Sequence, residues 1–416
     1  PLEMIQDLIL VYWKMRWPVN KIWKTINKEH LDQQKYSIGL TRFREYIVAM
    51  GLEGTRTQKH TPDSIKPIVE ELRAMYPKAG ILEMKSLLFH ERDIAVSKHV
   101  LMAYFQAYEP ELIKKKKRCL PAGIARNLKR KQFYSAGIND IWAFDQHNKW
   151  KYKFGMAFHL CLDPFSGVLK WCKIWWTNSN PVLIVSYYFE VVKRDGVICL
   201  VTQSDMGTEN VGIANAHTVL RQSLDPSLAG TIQHRYMWDK KNIMPEIEWS
   251  QLRRRWTPGF EDLLDIGVRN GWYSVENTLE SLVFCWVFIP YLQAELDLYR
   301  NRRNLCSKRH DKNKVLPHGV PAHIEMSPQD YDAVNFAVST QNTGALENIE
   351  TVEKIFAPSD HPVFQLVPPS FEETISFFYN ELGTPVISRS NVWDVYNLLL
   401  ARFRQDPGSV SAQKKC

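Results

Sequence analysis

Between residues 138 and 237 the apolar residues change period in the order β-β-β-α-β-α-β, and few folds accept that order. INDIWAFDQ, KFGMAFHLCLD and GVLKWCKIWWT are three apolar runs, joined by turns of hairpin length, HNKWKY and DPFSG. NPVLIVSYYFEVVKRDG then reads as a helix that opens at Pro181 and stops at Gly196. VICLVTQSD reads as a fourth strand, NVGIANAHTVLRQSL as a second helix and GTIQHRYM as a fifth strand. Three meandering strands followed by right-handed crossovers give a mixed five-stranded sheet with helices on its faces. The first crossover would carry the fourth strand beside the first.

The residues before this segment follow another plan. Residues 1–52 read as three short helices and residues 61–109 as three more, with Thr61 as a cap, Pro62 at a first helical position and Gly51 as a stop. Two such units fit tandem helix-turn-helix modules, whose last helix enters the major groove, although small helical bundles that touch protein read the same way. Charge favours nucleic acid. Residues 1–135 hold 25 Lys and Arg against 14 Asp and Glu, a net of +11 in a chain of +8, so the remainder is net −3. Positive charge gathered in one segment suits phosphate contact through counterion release. Candidate contacts are Arg42 and Arg44 at the start of one third helix and Lys98 at the start of the other. Beyond them lie the run Lys114, Lys115, Lys116, Lys117 and Arg118 and the strip Lys129, Arg130 and Lys131, which read as a basic linker and as a nuclear import signal.

Other classes are disfavoured. The longest apolar patch, SLVFCWVFIP, is short and closes on Pro290, so a membrane span is not expected. No basic segment leads into an apolar one at the start of the chain. Seven cysteines are scattered without CxxC or Cys/His clustering, which argues against both a zinc site of standard spacing and a disulfide scaffold, and for a reducing compartment.

In a sheet of this order, function collects where strand carboxyl ends meet loops. Asp145 lies in the first strand and Asp205 ends the fourth, so the expected crossover brings them together. Two close carboxylates repel, and a hard divalent cation such as Mg²⁺ relieves that repulsion. A third ligand would admit a second ion, the pair clamping the attacking and leaving oxygens of a phosphoryl transfer. Glu246, near the start of the helix in NIMPEIEWSQLRRRW, is the favoured third acid. Glu248 is the rival, and two helical positions about 200° apart cannot both face the site.

Asp145, Asp205 and Glu246 resemble the DDE triad of retroviral-type integrases and related transposases. WAFDQHNKW is similar to the W-x-x-D-x-x-x-K strand of the integrase core, SDMGTEN to its D-x-G-x-E-N and NIMPEIEWSQLRR to its N-x-x-x-E-x-x-W helix. The paired helical modules and the RKQFYSAGIND lead-in resemble the front end of integrase-core proteins of eukaryotic DNA transposons and of some bacterial insertion-sequence transposases. The His-His-Cys-Cys zinc module of retroviral integrases is absent, and Met244-Pro245 stands where many relatives have Arg-Ile. The resemblance implies an α/β RNase H-like core over residues 138–310. It also implies a homo-oligomeric enzyme that binds double-stranded DNA, element ends and target, in the nucleus. The activity implied is phosphodiester cleavage and strand transfer with two Mg²⁺ or Mn²⁺ ions per active site held by the three acids. A domesticated non-catalytic relative, or a nuclease of the same sheet order, is the alternative.

Around the triad, His147, Lys149, Arg253 and Arg254 are candidate DNA contacts or solvated side chains. Asp163 reads as a turn former. Glu209 and Asn210 read as loop and cap residues, with Gly207 allowing a sharp turn. The expected organisation is helical modules at 1–55 and 56–112, a basic linker at 113–137, the core at 138–310 and an accessory region of unassigned role at 311–416. In the last, KVLPHGVPAHIEMSP reads as a linker, FQLVPPSFEETISFFYNELGTPV shows no clear period, SNVWDVYNLLLARFRQ reads as a helix and the tail as disordered.

Overall fold

The computed structural model describes residues 3–112, 133–238, 241–308, 315–340 and 345–405, and it divides into two compact units. The first comprises Pro1–Lys131, Arg302–Lys312 and His318–His323. Its helices Gln6–Lys14, Val19–Thr25 and Leu40–Ala49, with the turn Ile26–His30, bury Ile9, Tyr12, Ile22, Ile26, Phe43 and Ile47 in one core. Pro62–Met75, Ile81–Arg92 and Lys98–Tyr108 bury Val69, Leu72, Met84, Leu88, Leu101 and Phe105. The helix at Pro62 starts where its local chemistry directs. Thr61 Oγ1 accepts from the Ser64 amide at 3.2 Å and Ser64 Oγ from the Thr61 amide at 2.9 Å, a reciprocal capping box. A buried ion pair ties Arg302 to Glu91, which also accepts from Tyr76 Oη at 3.0 Å.

The second unit comprises Gln132–Asn301, Asn313–Pro317 and Ile324–Cys416. Strands β1 (Ile141–His147), β2 (Ala157–Leu162) and β3 (Leu169–Trp175) form the expected antiparallel meander. The fourth apolar run is divided, against expectation. Its first part, β4 (Val197–Ile198), leaves the main sheet to pair with a distant strand at Val338–Ser339, and only its second part, β5 (Val201–Asp205), joins the sheet. The amides of Leu200 and Val201 bond to the carbonyls of Asn139 and Asp140 at 2.9 and 3.1 Å, which captures the chain as it enters β5. With β6 (His234–Met237) the sheet order is β3-β2-β1-β5-β6, and β5 lies parallel to both β1 and β6. We label the Val338–Ser339 strand β7.

Pro181–Asp195 and Val211–Leu224 cover one face of this sheet. Trp142, Phe144, Cys161 and Trp171 pack into them with Ile184, Tyr188, Phe189, Ile213 and Leu220. The first helix begins with Asn180 Oδ1 accepting from the Val182 amide at 2.9 Å and ends at Gly196, whose φ of 66° is the left-handed stop. Lys170 is buried at the start of β3. It is held by Asp195 at 3.1 Å and Glu325 at 2.6 Å, and those carboxylates keep it protonated against the cost of burial.

One expectation holds and one is corrected here. Residues 277–303 read as a single helix from their sequence, and the helix Thr278–Leu305 runs through Pro290. Among the described residues this is the one helix long and apolar enough, by length and composition, to cross a membrane. More than half of that stretch is buried, including Phe284, Val287, Phe288, Leu292 and Leu296. The segment without clear period contains the helix Pro369–Glu381. Phe371, Ile375 and Phe378 form its inner face, and Phe371 and Phe378 lie 4.6 and 5.0 Å from the Phe403 ring. Phe377, 59% exposed, hides that period by placing an aromatic residue on the outer face.

Candidate active site

Strand β1 alternates as a half-embedded strand must. Trp142 and Phe144 point into the helical layer described above, and Asp145 emerges on the other face. The parallel register pairs Ile141 with Val201, Trp142 with Thr202 and Ala143 with Gln203. Continued by two positions, it sets Asp145 level with Asp205 on strands about 4.8 Å apart. β5 ends at Asp205, opposite Met237 of β6. The two acids proposed from spacing therefore share the carboxyl-end edge of adjacent parallel strands.

The third acid rides on the helix Ile243–Arg255. Asn242, fully buried before its first turn, donates from Nδ2 to the Phe144 carbonyl at 2.9 Å and accepts at Oδ1 from Gln203 Nε2 at 3.2 Å. This seats the helix against β1 and β5. Three residues beyond Glu246, the Trp249 indole N–H donates to Asp145 Oδ2 at 3.0 Å. The rival acids part company here. Glu248 is buried and accepts from Tyr299 Oη at 3.0 Å, whereas Glu246 is exposed and its charge acts on Asp145.

Electrostatics follow from this crowding. Burial raises the Asp145 carboxyl to about 7, and the charges of Asp205 and Glu246 add to the rise, while the Gln146 amide and Trp249 indole pull the other way. Burial also raises Asp205. Asp205 Oδ1 is buried without a hydrogen-bond partner. Among the described residues no three His, Cys, Asp or Glu side chains are gathered into a ready-made metal cage. An orphaned carboxylate oxygen beside a like-charged neighbour nevertheless fits a hard divalent cation, and every donor offered is oxygen.

The loop after β5 holds a different reason for its glycine than the expected sharp turn. Gly207 is extended, with φ −161°, and a Cβ there would stand 1.8 Å from Glu209 Oε1. The glycine makes room for a buried carboxylate. Asn210 does not cap the next helix with its side chain. Its Nδ2 donates to the Asp205 carbonyl and to Glu209 Oε1, both at 3.2 Å, and so braces the end of β5. Asp163 forms its turn by accepting from the Ser166 amide at 2.9 Å, and it also anchors the Asn139 amide at 2.6 Å just before β1.

Of the proposed DNA contacts, His147 and Arg253 lie with the site. His147 stacks on Trp249 at 5.1 Å, and burial together with the nearby Arg253 charge lowers its pKa. His147, Lys149, Trp249, Arg253 and Glu261 line a small cleft whose Glu261 is held by Trp150 Nε1 at 2.8 Å. Arg254 donates to the Ser250 carbonyl at 3.0 Å within its own helix, about 100° round from Arg253. Arg42, Arg44 and Lys98 are exposed in the first unit, and Arg44 donates to Asn20 Oδ1 at 3.0 Å. Lys114–Arg118 and Lys129–Lys131 lie outside the described residues.

The sequence reading did not find the roles of Gln203, Asn242 and Trp249. The only signal was the conjunction of Asn242 and Trp249 around Glu246, whose meaning lies in the strands they reach. Residues 133–327 match the family described as integrase core domain, and no curated protein matches the chain. That family generally uses divalent metal ions and acts on DNA.

Proposed function

The chain carries an integrase core domain at residues 133–327, and from that premise we propose that it is a transposon-encoded DNA integrase or transposase. On this reading it binds element-end DNA and performs phosphodiester cleavage and strand transfer with Asp145, Asp205 and Glu246. The observation that carries the reading is the register that sets Asp145, two residues before the end of β1, beside Asp205 at the end of the parallel strand β5, with Glu246 close enough to raise the Asp145 carboxyl. The three acids would hold divalent cations, which supply charge neutralisation at the reacting phosphodiester. A water or a DNA 3′-hydroxyl attacks phosphorus in line, one P–O bond forms as another breaks, and no covalent enzyme intermediate is required.

The chain's own side chains orient the components. Trp249 holds one oxygen of Asp145, and Asn242 fixes the helix that carries Glu246. His147, Lys149 and Arg253 offer donors to the phosphate backbone beside the acids. Arg42, Arg44, Lys98 and the two basic strips supply sequence-independent attraction to the duplex. The same strips serve import into the nucleus, and the active form is a homo-oligomer.

Asp205→Asn tests the reading. Strand transfer of a labelled, recessed element end in Mg²⁺ should disappear while duplex binding survives. Cleaved but never joined product from the unaltered chain would identify a nuclease. Bound and unreacted DNA would identify a non-catalytic DNA-binding protein.

A further inference from the structure

The helix that carries Glu246 has polar side chains on either side of it whose hydrogen bonds leave the helix. Asn242 makes no side-chain cap bond to its own helix, and spans instead to the Phe144 carbonyl and the Gln203 amide. Trp249 could have been a packing residue alone, as the neighbouring Trp256 shows. Trp256 is fully buried, and its indole N–H has no partner. The Trp249 N–H is used instead on Asp145 Oδ2, while Glu248, the preceding residue about 100° round the helix, is buried and accepts from Tyr299 Oη.

An aspartate carboxylate turns easily about its terminal torsion. Asp145 sits where that freedom would matter, level with Asp205 and its unpartnered oxygen. The indole is itself immobilised by stacking on His147 at 5.1 Å and 20° and by edge contact with Phe158 at 6.2 Å. A donor held this firmly occupies one of about four lone-pair sites of the carboxylate and stops its rotation. We propose, resting on the transferase reading above, that Trp249 is a positioning residue whose indole N–H presets the Asp145 carboxylate for a divalent cation shared with Asp205. Asn242 sets the helix register that makes the contact possible. The sequence N-x-x-x-E-x-x-W is then one device: a strand anchor, a ligand and a lock on the neighbouring ligand, spaced along consecutive helical turns.

The test uses the full chain and Mn²⁺ alone as the probe. Trp249→Phe keeps an aromatic ring against His147 and removes the N–H. Replacement of Trp249 by benzothienylalanine removes the N–H and preserves the indole shape, so it remains informative if the phenylalanine variant folds poorly. Loss of a charge-assisted bond predicts Mn²⁺ binding weakened by about 10-fold or more in calorimetry for both replacements. It also predicts a fall in kcat for strand transfer at constant KM for DNA, and for the isostere an unchanged melting temperature. Wild-type Mn²⁺ affinity in the isostere would overturn the proposal, since shape alone would then suffice. The underlying reading fails separately, if Asp205→Asn binds Mn²⁺ as tightly as the unaltered chain.

Discussion

Asp145→Asn should make the metal-free protein more stable at neutral and alkaline pH. The carboxyl of Asp145 rises from 3.8 to about 7 in the folded chain because burial and two acidic neighbours oppose its charge. Between those values the folded chain retains a proton that the unfolded chain has released. Stability is therefore full below about pH 4 and declines as pH rises toward 7. The rise corresponds to a ceiling of about 4 kcal/mol, and partial exposure of the group brings the expected loss to about 2–3 kcal/mol. Asparagine cannot ionise and still accepts from Trp249, so the variant should escape this loss. Urea unfolding of the chelator-treated protein, followed from about pH 4 to pH 8, provides the measurement. The variant should exceed the unaltered chain by about 2–3 kcal/mol at pH 8, with the difference vanishing near pH 4. Mg²⁺ should narrow the gap at pH 8 by stabilising the unaltered chain more than the variant. A difference equal at both pH values, or a less stable variant at pH 8, would refute the electrostatic account of the site.

Three further outcomes follow from named contacts. Glu246→Gln should eliminate strand transfer with an unchanged melting temperature, whereas Glu248→Gln should weaken the Tyr299 bond and lower stability by about 1 kcal/mol; an activity loss confined to the Glu248 variant would reverse the assignment. Gly207→Ala places a Cβ 1.8 Å from Glu209 Oε1 and should cost about 1–3 kcal/mol, visible in thermal melts and in faster hydrogen exchange at the end of β5. Arg302→Met strands the buried Glu91 carboxylate, whose pKa burial already raises, and should destabilise the first unit by about 3–5 kcal/mol in denaturant melts at pH 7.

Much of the core was legible because its signals are local. The meander and crossover helices show in hydrophobic period, and Pro62, Asn180, Pro181 and Gly196 mark helix ends through their own backbone chemistry. Where an apolar run serves two partners, the pattern failed. VICLVTQSD is continuous in hydrophobicity, yet β4 pairs with β7 and β5 with the main sheet. The Pro369–Glu381 helix escaped notice because Phe377 is aromatic and exposed, so composition contradicted period.

For the site, the sequence by itself determined the order of elements, and through it the adjacency of the strands bearing Asp145 and Asp205, because right-handed crossovers leave little choice. It also set the spacing of Asn242, Glu246 and Trp249 along one helix. Only the tertiary structure buries Glu248 against Tyr299 and leaves Glu246 exposed, because helical phase has meaning only once Asn242 has docked that helix on β1 and β5. It likewise decided that Gly207 yields space to Glu209, and that the Asp145 carboxyl is raised to about 7. Both are consequences of proximity and desolvation, which arise between segments far apart in the chain and so leave no local mark in the sequence.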